Sequence, residues 1–205
     1  MPLSPLYPWL PVREMGVGRV LGIAGMVGGM GWIALALLTP MDTAANGGEA
    51  AWARLWAPPI LLMSAGFAGL LVGTELGHFR AIRAGILAVV VGLSAMAVGN
   101  VAEYWFFVDE PHGDINARNL SWIVLLIGVL IAVIGSTVAG MALLRGRREP
   151  LWLGVAFTAL FPGMIALAAL RPTFVGVPLG ALAIVTSFYV LSTWRRSLRA
   201  WQKRA

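Results

Sequence analysis

The residues best suited to chemistry gather near the middle of the chain. Asn100 and Glu103 are three positions apart, so a helix would carry both on one face. Directly after them runs Asp109-Glu110-Pro111-His112-Gly113-Asp114-Ile115-Asn116-Ala117-Arg118-Asn119. Carboxylates, an imidazole and amides within a dozen residues are the donor types that hold a divalent cation. The candidates are therefore Glu103, Asp109, Glu110, His112 and Asp114. Their spacing matches no defined metal motif, and the same composition makes a solvated acidic turn, capped by Asp114 or Asn116 and ended by Asn119 as the N-cap of the next span. That second account is the stronger, so no metal site is expected here.

A second set consists of hydroxyls. Ser136, Thr137, Thr158, Thr186 and Ser187 fall at similar depth on three different apolar segments, with Glu75 close by. If those faces converge, they form a polar pocket open to one side of the membrane. The competing use is ordinary: hydroxyls in membrane helices bond the carbonyl four residues back or a neighbouring helix, at about 0.6 kcal/mol each.

Several chemistries are excluded. Without cysteine there is no disulfide, thiolate ligand or thiol nucleophile. His78 and His112 belong to opposite ends of the apolar segments and cannot share a ligand. The one lysine, Lys203, lies in the C-terminal tail, so the interior offers no Schiff-base amine. HExxH, P-loop and GxSxG patterns are absent. No catalytic residue or cofactor is expected. No charged residue or histidine occupies the central turns of an apolar segment, which argues against an ion-coupled pump.

The elements that must position these residues are apolar runs. The chain is 59% hydrophobic and 12% charged, where a soluble domain is roughly 45–50% apolar and 25% charged. Six runs reach the roughly 20 residues that a helix needs to cross a bilayer: 17–39, 58–77, 84–107, 120–144, 151–170 and 174–194. The fold class is all-α, a polytopic transmembrane bundle in a single domain. An outer interfacial helix is expected over 48–57, where Trp52 and Trp56 share a face. A basic tail, 195–205, extends the last span.

Twelve Lys and Arg residues flank the runs on one side and three, Arg54, Arg118 and Arg171, on the other. Cytoplasmic loops are rich in Lys and Arg, so both termini are expected inside. The net charge of +6 is thereby a topology signal, and no nucleic-acid partner is implied.

Close packing in lipid relies on small residues. Gly18, Gly22, Gly25 and Gly29 stripe the first span. Ala65, Gly69, Gly73 and Gly77 stripe the second, Gly128, Ala132, Ser136 and Gly140 the fourth, and Gly176 and Gly180 the sixth. Internal packing is the default use of these stripes, and a membrane-protein partner or second copy is the other. Pro162 should kink the fifth span, and Pro178 should act similarly in the sixth.

The segment Gly99-Asn100-Val101-Ala102-Glu103-Tyr104-Trp105, the Asn119-Leu120-Ser121-Trp122 helix start, and the Gly135, Gly140, Leu143-Leu144-Arg145, Pro150-Leu151-Trp152 turn resemble a loose group of small six-span bacterial membrane proteins without assigned activity. The resemblance covers roughly 99–152. It implies a bacterial inner membrane and carries over no functional residue.

Three functions follow from these features. The leading one is a non-enzymatic accessory or assembly subunit packing through its Gly/Ala stripes. The alternatives are a small transporter or facilitator using the inner hydroxyls, and a membrane enzyme or metal-dependent sensor using the outer acidic loop.

Overall fold

The computed structural model describes residues 12–39, 49–109, 116–146 and 150–202, and among them only helices occur. These are α1 (Val12–Leu38), α2 (Glu49–Arg54), α3 (Ala57–Gly73), α4 (Arg80–Val101), α5 (Ala117–Arg145), α6 (Leu151–Thr158), α7 (Leu160–Leu170) and α8 (Val177–Gln202). A π-helical turn, Ala102–Phe106, prolongs α4, and 3₁₀ turns at Glu75–His78 and Pro172–Gly176 make two of the connections.

Five helical segments are long and apolar enough to cross a membrane. The consecutive pair α6 and α7 makes a sixth span if the two count as one, bent by 48°. Pro162 explains the bend. It lacks the N–H that would bond the Thr158 carbonyl, and its ring crowds that carbonyl, so the helix breaks at Ala159 and not at the proline itself. Pro178 departs from expectation. It is the second residue of α8, where a missing N–H belongs to a group unpaired in any helix, so it starts the helix without kinking it.

The exterior is apolar on every long helix. Val20, Val27, Val98, Leu130, Ile134, Ile165 and Phe188 are all exposed. A water-soluble monomer rarely shows contiguous apolar surface on this scale. The apolar helices and their apolar outer faces are those of an integral membrane protein.

Glycines set the helix contacts, and every consecutive long pair runs antiparallel. On α1 they divide between two neighbours. Gly18 meets Gly73 of α3, Gly25 meets Gly66, and Gly28 lies against Pro59 and Met63. One step around the helix, Gly22 faces Val190 and Leu191 of α8, and Gly29 faces Gly180 and Ile184. A Cβ at Gly25 would overlap both Gly66 Cα and the Ser187 Oγ of α8, so three helices touch at this point.

The α4 contact to α5 uses a seven-residue repeat. Gly85 packs on Gly135 and Ala139, Gly92 on Gly128 and Ala132, and Gly99 on Ser121 and Leu125.

Two expected stripes are revised. On α3 the residues against α1 are Gly66, Gly69 and Gly73, whereas Ala65 is only half-buried, and Gly77 lies in the 3₁₀ turn against Leu71. On α5 the stripe splits: Gly128 and Ala132 face α4, while Gly140 faces Gly154 and Thr158 of the α6 segment and Ser136 bonds it.

α3 lies against α1, α4 and α8. Its Ile60, Met63, Phe67 and Leu70 are fully buried, and Phe67 meets Phe157 edge to face at 6.0 Å. One end of the bundle carries the α1–α3, α4–α5 and α7–α8 connections and is called the upper end. The other carries the α3–α4 and α5–α6 connections.

Candidate functional site

The upper polar residues form a clamp around the end of α4. Asn100 is wholly buried and Glu103 is 1% exposed. The π-turn accounts for the depth of Glu103 and Tyr104 together. Phe107 N–H bonds the Ala102 carbonyl five residues back, and the wider turn rotates two adjacent residues inward while Trp105 and Phe106 face out. Such π-bulges concentrate at functional sites.

Two guanidinium groups close over this end. Arg54 Nε donates to the Tyr104 carbonyl at 2.8 Å, and Arg118 Nη1 donates to the Val108 carbonyl at 2.8 Å. Cations on the last carbonyls of a helix also favour its dipole. Among the described residues, neither amide atom of Asn100 has a hydrogen-bond partner.

The acidic loop contributes little of this. Asp109 is exposed. Glu110, His112 and Asp114 lie outside the described residues. Among the described residues, no three His, Asp or Glu side chains come close enough to hold a metal ion. The N-cap of α5 is Asn116, whose side chain accepts from Asn119 N–H at 3.0 Å.

The hydroxyls proposed to line an inner pocket mostly have separate backbone partners. Ser136 Oγ donates to the Phe157 carbonyl of α6 at 2.6 Å. Thr137 bonds Val133 O, and Thr158 bonds Gly154 O and Val155 O within its own helix. Glu75 is exposed in the 3₁₀ turn. Thr186 and Ser187 are wholly buried and their hydroxyls are unpaired, with Ser187 wedged between Gly25 and Gly66. The structure therefore joins Ser136 to α6 and Ser187 to the α1–α3 crossing.

The upper half instead contains an apolar cavity of about 450 Å³. Ligand pockets occupy about 300–1,000 Å³. Its walls come from α1, α4, α5, α7 and α8, with Trp32, Trp56, Met96, Val129, Met164 and Leu179 among the lining side chains. Leu126 and Val175 also line it and are exposed, so it opens onto the apolar outer surface. The α6–α7 bend positions one wall, since Leu160 and Met164 follow the break. Trp32 packs edge-on against Trp56 at 5.7 Å. Its indole Nε1 lies against Gly176 and has no acceptor.

Sequence patterning missed this cavity because its walls are ordinary Leu, Val and Met at helical spacing. The one usable signal was Trp32, a tryptophan inside a span and away from the aromatic belts. No protein-family model matches the chain, and neither curated proteins nor solved structures give a match.

Proposed function

We propose that the protein is a non-enzymatic accessory subunit of a bacterial inner membrane, six spans with both termini cytoplasmic, which holds an apolar molecule drawn from the bilayer. The upper cavity carries this proposal. It has the volume of a ligand site, its walls are apolar, and it opens among lipid-facing side chains. The hydroxyls better suited to a polar solute are largely bonded to helix carbonyls. A partner subunit or second copy would dock on lipid-facing side chains, because the glycine faces are occupied within the chain.

Native mass spectrometry of the full chain, released from a mild detergent, tests this. The wild type is expected to retain a lipid-sized adduct. Val129→Phe and Ala36→Phe, two half-buried positions on the cavity wall, are each expected to reduce its occupancy several-fold. A wild type free of adducts, or adducts equally retained by both folded variants, would end the proposal.

A further inference from the structure

We infer that the occupant of the upper cavity is an anionic glycerophospholipid, with one acyl chain in the cavity and its headgroup at Arg171. This rests on the cavity being a ligand site, and it adds the chemical class of the ligand.

The volume narrows the choice. An α-helix is roughly 10–12 Å across, so about 450 Å³ admits only about one turn of a partner helix. A slender hydrocarbon chain fits the same space along its length. The walls offer such a chain apolar contact along its length, and the opening at Leu126 and Val175 faces the phase in which lipids reside.

The rim supplies the charge. Thr39 lines the cavity at the end of α1, and its carbonyl accepts from Arg171 Nη2 at 2.6 Å. The guanidinium lies 5.2 Å from the Phe174 ring, and the next two residues, Val175 and Gly176, are cavity walls. Arg171 Nε is buried and has no acceptor.

Arg54 and Arg118 each bond a carbonyl next to a carboxylate residue in sequence, Tyr104 beside Glu103 and Val108 beside Asp109. Arg171 has no carboxylate partner among the described residues; its contacts are the Thr39 carbonyl and the Phe174 ring. A guanidinium with donors to spare is suited to a phosphate. Capping the α1 carbonyl accounts for one of its five N–H groups, not for its place at the rim of an apolar cavity.

The test uses the full chain in nanodiscs of equal parts phosphatidylglycerol and phosphatidylcholine, with native mass spectrometry of the lipid retained on ejection. The wild type is expected to retain phosphatidylglycerol about fivefold over phosphatidylcholine, the preference that one basic residue near an anionic headgroup supplies. Arg171→Gln should erase the preference, and Arg171→Lys should keep most of it. Arg54→Gln removes a comparable clamp on a carbonyl that does not line the cavity, that of Tyr104, and should leave the preference intact.

The wild type also gives a reading that needs no variant to fold. The preference should shrink when salt is raised from 0.05 to about 0.5 M, because the Arg171 guanidinium is only half-buried and its attraction for a headgroup is partly screened. Equal retention of the two lipids, a preference untouched by Arg171→Gln, or a wild-type preference indifferent to salt each overturns the inference. Retention of an uncharged apolar molecule instead would overturn the headgroup assignment while leaving the ligand site standing. Absence of any retained molecule would remove the site itself.

Discussion

Asn100 is the residue whose environment is hardest to reconcile with a purely structural role. Its side chain is wholly buried and both amide atoms lack a partner. A buried polar group left unsatisfied costs about 1–3 kcal/mol, whereas an apolar group of similar shape costs nothing of this kind. Asn100→Leu is close to isosteric and should raise the unfolding midpoint, by about 1–3 kcal/mol equivalent. Thermal unfolding in detergent measures it. A drop in stability instead would mean that the amide is satisfied in the folded protein, and would overturn its reading as an unpaired buried group. Glu103 was recognisable from sequence as a candidate cation donor, but its burial was not. Its inward rotation was not recognisable, because it depends on the π-turn, and no residue type in Ala102–Phe106 announces one.

At the scale of elements, the contacts that hold the bundle are backbone to backbone. At Gly92 an added Cβ would lie 2.5 Å from both Ala132 N and Gly128 O. Neither atom belongs to a side chain that can swing away, so α4 and α5 must separate. Gly92→Leu should destabilise the protein by at least about 3 kcal/mol, the upper range of overpacking costs. Val98→Leu, six residues on and facing lipid, should change stability by less than about 0.5 kcal/mol. Chemical unfolding in mixed micelles distinguishes the two. Equal effects would mean that the α4–α5 seam is not the close contact described.

The existence and approximate limits of the helices could be read from hydropathy. The partners of each stripe could not. Spacing by four marked two pairs, Gly18 with Gly22 and Gly25 with Gly29, but the packed helix turns the first of each pair to α3 and the second to α8. The repeat of seven in Gly85, Gly92 and Gly99 was visible in principle, and a search for intervals of four passes over it. The bend at Ala159 followed from Pro162 with an offset set by the crowded carbonyl four residues earlier. Its role as one wall of a cavity depends on how five helices meet, which no single segment encodes.

For the molecule as a whole, the charge asymmetry gains a structural explanation for its exceptions. In the sequence three arginines flank the apolar runs on one side and twelve basic residues on the other. Each of the three donates to a backbone carbonyl near the end of a helical segment: Arg54 to Tyr104, Arg118 to Val108 and Arg171 to Thr39. At the lower end, Arg80, Arg83, Arg145 and Arg195 are exposed, and Arg19 lies 4.8 Å from the Trp194 ring in the position of an interfacial anchor. The upper arginines therefore have local reasons to be there, and the lower ones fit the cytoplasmic excess of Lys and Arg. The chain contains no cysteine, so single introduced thiols report orientation without background. Asp109→Cys, on the upper end, should react with a membrane-impermeant maleimide on intact spheroplasts. Gly146→Cys, on the lower end, should react only after permeabilisation, with a contrast of tenfold or more set by the bilayer barrier. Labelling in the opposite order would invert the bundle and bring Arg171 and the cavity rim to the cytoplasmic leaflet. There the anionic lipid would be drawn from the other monolayer, so the orientation of the molecule fixes which leaflet the upper cavity samples.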